Sequence, residues 1–248
     1  MEVIKPFVKW AGGKGSLISQ LTNFYPFELE NGTIKKYVEP FVGGGAVLID
    51  ILQKYDVEEA YAFDINKDLI NCYNVIKQDV ESLIEKLNEK EKEFLNIELE
   101  NRQEYFYKIR SEYNSYKIED NLDVKRASEF IFLNRTCFNG LYRVNKNGKF
   151  NVPCGKYKNP TICDAKNLRN LSLGPGHFDT KINLKNYKFR QKYNNIWCII
   201  WEIISHIILF QRRLFSMPRI PRMFLYTEYF HVIIKSFENS LNIFHVIV

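Results

Sequence analysis

Within the first 64 residues the chain carries residue types at a spacing suited to holding a nucleotide. Lys9-Trp10-Ala11-Gly12-Gly13-Lys14 and Glu39-Pro40-Phe41-Val42-Gly43-Gly44-Gly45 are glycine-rich turns, and Asp64 ends an apolar run about twenty residues after the second turn. Bare glycines let a backbone approach a ligand closely, and a helix that starts from such a turn presents unpaired N–H groups. A carboxylate at the end of the following strand is where a Rossmann-type unit accepts hydrogen bonds from ribose hydroxyls. The chemistry implied is the binding of a nucleotide-bearing cofactor. On spacing alone a dinucleotide-dependent dehydrogenase also fits, and a glycine turn can serve tight packing and nothing more. Against the dehydrogenase, Gly43-Gly44-Gly45 is not Gly-x-Gly-x-x-Gly, a phenylalanine stands at its head, and another glycine turn precedes it.

A second group of residues lies further along. Asn139-Gly140-Leu141-Tyr142-Arg143-Val144-Asn145 and Lys149-Phe150-Asn151-Val152-Pro153-Cys154-Gly155 flank Lys146-Asn147-Gly148. An Asn-Gly pair between alternating segments predicts a β-hairpin, here a basic one. Its chemistry is either contact with a polyanion or that of an exposed turn with no partner. The net charge of +6 and pI of about 8.9 suit nucleic acid without requiring it. Cys72, Cys137, Cys154, Cys163 and Cys198 have no metal-ligand spacing, so free or buried thiols of a cytosolic protein are expected, and no metal. The start of the chain lacks a charged-then-apolar leader, and the longest apolar stretch, 196–210, is short and interrupted by Glu202, Ser205 and His206. A cytoplasmic protein without a membrane partner is the expectation.

The elements that must position these residues follow from periodicity. Residues 16–21 read as a helix, 36–39 as a buried-type strand ended by Pro40, and 46–54 as a helix with Val47, Leu48, Ile51 and Leu52 on one face. Residues 60–64 read as a strand and 66–77 as a helix carrying Leu69, Ile70, Tyr73 and Ile76. This β-α-β-α order predicts an α/β fold with a parallel sheet. Residues 79–120 are charged, with Leu83, Leu87, Leu95, Leu99, Tyr105, Ile109 and Tyr113 at helical spacing, and predict surface helices whose charges form a solvated face. Residues 126–134 predict another helix. From about Leu173, past Gly174-Pro175-Gly176, neither period is clear.

Taken together, the two glycine turns, Asp64 and the run from Phe132 through Asn139-Gly140-Leu141-Tyr142-Arg143 to Pro160 resemble the adenine-N6 DNA methyltransferases of the Dam and DpnM type (the D12 class) over roughly residues 4–170. The resemblance implies a Rossmann-like S-adenosylmethionine-dependent methyltransferase sheet with an inserted helical and hairpin target-recognition part. Residues 1–78 would form the cofactor-binding part, 79–160 the insertion, and 161–248 the remainder of the catalytic domain. It also implies that Trp10 and Lys14 contact S-adenosylmethionine, that Phe41 and Gly43 wall its methionine side, that Glu39 lies near its amino group, and that Asp64 binds its ribose. In the recognition hairpin Arg143 would enter the major groove, where a guanidinium pairs bidentately with guanine. Asn139 and Leu141 would approach bases, and Lys146, Lys149, Lys156 and Lys158 would meet phosphates. The implied partner is double-stranded DNA, with GATC as the target, no metal and a monomeric protein, either in a restriction-modification system with a cognate endonuclease or as an orphan methylase.

The same resemblance implies an Asp-Pro-Pro-Tyr motif after the recognition run, whose Asp and prolyl carbonyl orient the amino group of a flipped adenine while the Tyr stacks on it. The 248 residues hold no Pro-Pro pair and no Asp after Asp179, so no catalytic residue is assigned. The coincident loss of motif and periodicity predicts a reading-frame shift near 173–195, with divergence of the C-terminal part as the other account and the remaining strands of the sheet incomplete. Three outcomes stay open: an active methyltransferase, a catalytically silent cofactor- and DNA-binding remnant, and a truncated product without function.

Overall fold

In the computed structural model, which describes residues 3–118, 122–174 and 181–186, glycine, proline and short polar residues divide the apolar runs into alternating helices and strands. All described residues lie within the unit Met1–Lys188. The predicted helix at 16–21 divides into a 3-10 turn, Gly15–Leu17, and α1 (Ile18–Leu21), because Leu17 N–H donates three residues back to the Lys14 carbonyl. After α2 (Phe27–Glu30) come β1 (Lys36–Glu39), α3 (Ala46–Lys54), β2 (Glu59–Asp64) and α4 (Lys67–Gln78), each within one residue of its predicted bounds. Asn66 caps α4, its Oδ1 accepting from Asp68 N–H at 3.0 Å and Leu69 N–H at 3.1 Å, which satisfies donors that have no partner inside the helix.

The sheet is small and parallel. β2 lies between β1 and β3 (Lys181–Asn186), with Lys36 opposite Glu59 and Glu59 opposite Lys181. Along β2 the side chains alternate, so that Ala60, Ala62 and Asp64 are buried. β3 falls beyond residue 170, in a stretch expected to lack a clear period, yet Ile182 and Leu184 alternate with Lys181, Asn183 and Lys185; Lys77 Nζ donates to the Ile182 carbonyl at 2.7 Å. The predicted frame-shift region at 173–195 lies, apart from 173–174 and 181–186, outside the described residues, as does the chain beyond it.

Four further helices pack on α4, which itself lies against β2 and β3, and on one another: α5 (Val80–Asn96), α6 (Arg102–Ser115), α7 (Val124–Thr136) and α8 (Ala165–Ser172). α7 is buried along most of its length, with Ala127, Phe130, Ile131, Phe132 and Leu133 beside the polar Arg126, Ser128, Glu129 and Asn134, and it touches α4, α5 and α6. On α5 the predicted Leu83 and Leu87 are buried, and Phe94 joins them. Leu99 does not: the backbone turns extended at Ile97, so the helical period lapses and Leu99 is exposed.

One buried ion pair ties α7 to α4. Arg126 of α7 donates from Nε to Asp68 Oδ1 at 2.8 Å and from Nη2 to Asp68 Oδ2 at 3.2 Å. Its Nη1 donates to the carbonyls of Tyr113 and Tyr116, the guanidinium lies over the Tyr113 ring, and the Tyr113 hydroxyl donates to Asp68 at 2.7 Å. A buried guanidinium left without its carboxylate keeps its desolvation cost and loses its compensation. Asp68→Ala is therefore expected to destabilise the chain by ~3–5 kcal/mol, read as a lower urea midpoint. Glu81→Ala, which breaks an exposed pair with Arg169, is expected to leave the midpoint almost unchanged.

Candidate functional site

The loop from β1 to α3 is held by backbone groups on one side and Asp64 on the other. Val42 N–H donates to the Phe63 carbonyl at 2.9 Å, Gly43 N–H to Asp64 Oδ2 at 3.0 Å, and Gly45 N–H to the Val42 carbonyl at 2.7 Å. Gly43 and Gly45 adopt φ of +49° and +75°, a region that β-carbon-bearing residues rarely occupy. Space demands glycine as well: a Cβ on Gly43 would stand 2.8 Å from Trp10 Cδ1, and one on Gly45 would overlap the Tyr73 hydroxyl. That hydroxyl donates to the Gly43 carbonyl at 3.0 Å. Asp64 is 8% exposed, and its other oxygen accepts from Asn66 N–H at 2.9 Å. The carboxylate thus joins the glycine loop to the start of α4.

The first glycine turn closes through Gly13 N–H donating to the Trp10 carbonyl at 2.9 Å, with Gly12 at φ +75°. Trp10 is half-buried and stacks on Tyr142, with centroids 5.7 Å apart and planes 20° from parallel, and more loosely on Phe130. Trp10, Gly43 and Asp64 therefore form one connected group. Glu39, at the end of β1, is partly buried and accepts from the Tyr37 hydroxyl at 3.0 Å. Burial pushes its carboxyl up to about 7, against the opposing influence of the Tyr37 hydroxyl, the Leu48 N–H and the Lys14 ammonium. Lys14 is exposed, and Phe41 is 45% exposed at the head of the second loop. A hydrogen-bonded carboxylate, an aromatic face, glycine amides and a carboxyl influenced by a cation only through space fit a nucleoside that carries an ammonium group.

The predicted hairpin is a looped segment with isolated antiparallel bridges at Val144–Phe150 and Cys137–Cys154, not a continuous ladder. Two local features prevent the ladder: Pro153 has no N–H, and Asn139 and Gly140 take φ of +53° and +62°. The turn itself forms where Asn-Gly places it. Asn145 Oδ1 accepts from Asn147 N–H and Lys149 N–H, and Gly148 N–H donates to the Asn145 carbonyl. Asn139, Leu141, Arg143, Lys146, Lys149, Lys156 and Lys158 are all exposed. Arg143 Nε donates to Asn151 Oδ1 at 2.8 Å, which sets the direction of its guanidinium. From α6, Asn114 exchanges hydrogen bonds with both backbone groups of Phe150, and Arg110 Nη1 donates to the Val152 carbonyl.

Sequence reasoning missed two groups that shape the site. Tyr73 and Asn134 both occupy apolar-looking helical faces, and no local signal marks their polar ends as partners of Gly43 and Lys9. Cys72, Cys137, Cys154 and Cys163 are free, with burial pushing every one of these thiols up. Among the described residues no group of three or more His, Cys, Asp or Glu could hold a metal ion, and no helix is long and apolar enough to cross a membrane.

A model of the D12 class N6 adenine-specific DNA methyltransferase family matches residues 10–196. The match continues past residue 170 and takes in β3. Over 169 residues the chain is 56% identical to the type II methyltransferase M.MjaIII of Methanocaldococcus jannaschii, covering 68% of this chain and 58% of that protein. It is 37% identical to the type II methyltransferase M1.LlaDCHI of Lactococcus lactis subsp. cremoris over 68% of this chain and 54% of the relative. It is 36% identical to the DNA adenine methylase of Escherichia coli K12 over 67% and 53%. The chain thus spans a little over half the length of the curated relatives it matches. With a family match across that much of its sequence, the chain belongs to the D12 class N6 adenine-specific DNA methyltransferase family.

Proposed function

We propose that this chain acts in the transfer of a methyl group from S-adenosylmethionine to the N6 of adenine in duplex DNA, within GATC. Residues 1–78 would hold the cofactor in a Rossmann-like arrangement, 79–160 would form the inserted target-recognition part, and 161–248 would complete the catalytic domain. The observation that carries the reading is the Gly43–Asp64 hydrogen bond, which sets a glycine loop beside an acidic strand end in a chain of this family.

S-adenosylmethionine, when bound, supplies a methyl group on an electrophilic sulfonium. Asp64 would accept from its ribose hydroxyls, Trp10 would offer a face for stacking, and Phe41 and Gly43 would enclose the methionine part. Glu39 would meet the ammonium, with Lys14 close to the same end. On the DNA side Arg143, aimed by Asn151, would read guanine in the major groove. Asn139 and Leu141 would reach neighbouring bases, and Lys146, Lys149, Lys156 and Lys158 would contact phosphates. The partner is duplex DNA, and a monomer suffices, since one strand of such a site is modified per event.

A second reading is favoured by one observation, the absence of Asp-Pro-Pro-Tyr from the 248 residues. It is a protein that binds cofactor and DNA without transferring the methyl group. The two separate when the full chain is incubated with methyl-labelled S-adenosylmethionine and a GATC duplex and the nucleosides are then resolved by mass spectrometry. N6-methyladenine is expected under the first reading, duplex binding without it under the second, and failure to bind either ligand contradicts both.

Two further outcomes are expected. Glu39 binds an ammonium only when ionised, so affinity for S-adenosylhomocysteine should rise with pH through about 7 and fall by up to about tenfold per unit below it. Titration calorimetry in buffers of different ionisation enthalpy should detect proton release below that pH, and Glu39→Gln should abolish the slope. The fold shows the opposite sign: a raised carboxyl stabilises it below the ordinary glutamate range, and this contribution is lost as pH rises through about 7. Arg143→Ala should weaken GATC binding by ~1–3 kcal/mol and relax base preference, whereas Lys146→Ala should weaken all duplexes alike and lower the salt slope by about 1.

A further inference from the structure

Lys9 and Trp10 touch both halves of the candidate site, and one buried side chain holds them there. Asn134, in the last turn of α7, is 2% exposed. Its Oδ1 accepts from Lys9 N–H at 2.8 Å, and its Nδ2 donates to the Lys9 carbonyl at 2.8 Å and to the Gly140 carbonyl at 3.0 Å. A single carboxamide therefore satisfies both backbone groups of Lys9 and reaches the residue between Asn139 and Leu141. Gly140 lies directly on the Lys9 side chain: a Cβ there would stand 2.5 Å from Lys9 Cβ. Further out, Lys9 Nζ lies 4.5 Å from the Tyr157 ring centroid, between Lys156 and Lys158. The next residue, Trp10, stacks on Tyr142 beside Arg143 and fills the space that a side chain on Gly43 would need. Its carbonyl begins the Gly12-Gly13 turn.

These contacts leave little freedom for independent motion. Displacing Gly140 or Tyr142 relative to α7 strains the Asn134 hydrogen bonds or the Trp10 stack, and displacing Trp10 opens the wall behind Gly43. Asn134 is buried, so hydrogen bonds broken there are not replaced by water at low cost. We propose that Asn134 is a positioning residue that couples the DNA-facing segment to the cofactor loop through Lys9 and Trp10, so that occupancy of either site raises affinity for the other. This rests on the proposed function. Such coupling must be reciprocal: the factor by which cofactor tightens DNA binding is the factor by which DNA tightens cofactor binding.

The test measures that factor in the full chain with S-adenosylhomocysteine and a GATC duplex, each titrated with and without saturating amounts of the other. For the unaltered protein a factor of about tenfold is expected, equal in both directions. In Asn134→Ala the factor should fall close to one, whatever the change in S-adenosylhomocysteine affinity without DNA. A role in folding alone would weaken both ligands and leave the ratio unchanged, and that result overturns the inference. If Asn134→Ala has lost cooperative thermal unfolding, Asn134→Asp (which keeps the acceptor and removes both donors) and Tyr142→Leu (which removes the stack and keeps apolar bulk) carry the same comparison. Retention of the full ratio in both variants overturns the inference, as does a factor of one in the unaltered protein that binds both ligands. An unaltered protein that binds neither ligand contradicts the proposed function itself and removes the inference with it.

Discussion

The position of one buried guanidinium governs how α7 and α6 meet α4, the helix that follows β2. Arg126 is charged and shielded from water, so its donors must all find acceptors inside the protein. They find Asp68 and the carbonyls of Tyr113 and Tyr116. Asp68 lies in the first turn of α4, four residues after Asp64, so the pair relates α7 and α6 to the end of β2 where the glycine loop is anchored. With α7 set, Phe130 supports Trp10 and Asn134 reaches Lys9. With α6 set, Asn114 and Arg110 hold the segment that carries Arg143. The ion pair therefore serves geometry more than net stability, since a buried pair recovers little beyond its own desolvation.

The glycine loop faces a related constraint at closer range. Its backbone must turn sharply between a strand and a helix while leaving room for an indole on one side and a tyrosine hydroxyl on the other. Gly43 and Gly45 meet that demand through their positive φ and missing Cβ, and Asp64 and Tyr73 tie down the N–H and C=O of the same residue, Gly43. A loop fixed at both polar groups is ordered before any ligand arrives, so less ordering cost falls on binding. At the end of β1 the partly buried Glu39 would, in the proposed site, meet a cation that compensates the burial now disfavouring its ionised form.

Much of this was legible in the sequence because it is local. The bounds of β1, α3, β2 and α4 follow from apolar periodicity interrupted by Pro40, the three glycines and Asn66, and the 145–148 turn follows from Asn-Gly. Long-range relations were not legible. Asn134 meets Lys9 across 125 residues, and nothing beside either residue announces the contact. Leu99 keeps the leucine spacing of α5 after the helix has ended, because periodicity does not register where a backbone turns extended. The hairpin ladder fails at Pro153 and Asn139 although the flanking segments alternate, and β3, whose alternation at Ile182 and Leu184 is too short to stand out from the polar stretch around it, forms because β2 offers a ready edge.

Photo-crosslinking asks whether the two glycine turns and Asp64 form the proposed binding site for S-adenosylmethionine. The full chain would be irradiated with methyl-labelled S-adenosylmethionine and digested, and the labelled peptides identified by mass spectrometry, with excess S-adenosylhomocysteine as competitor. Competable label is expected in peptides containing residues 9–14 or 39–64, and it should disappear in Gly43→Val. Competable label confined to other peptides, or none at all, would rule out that site.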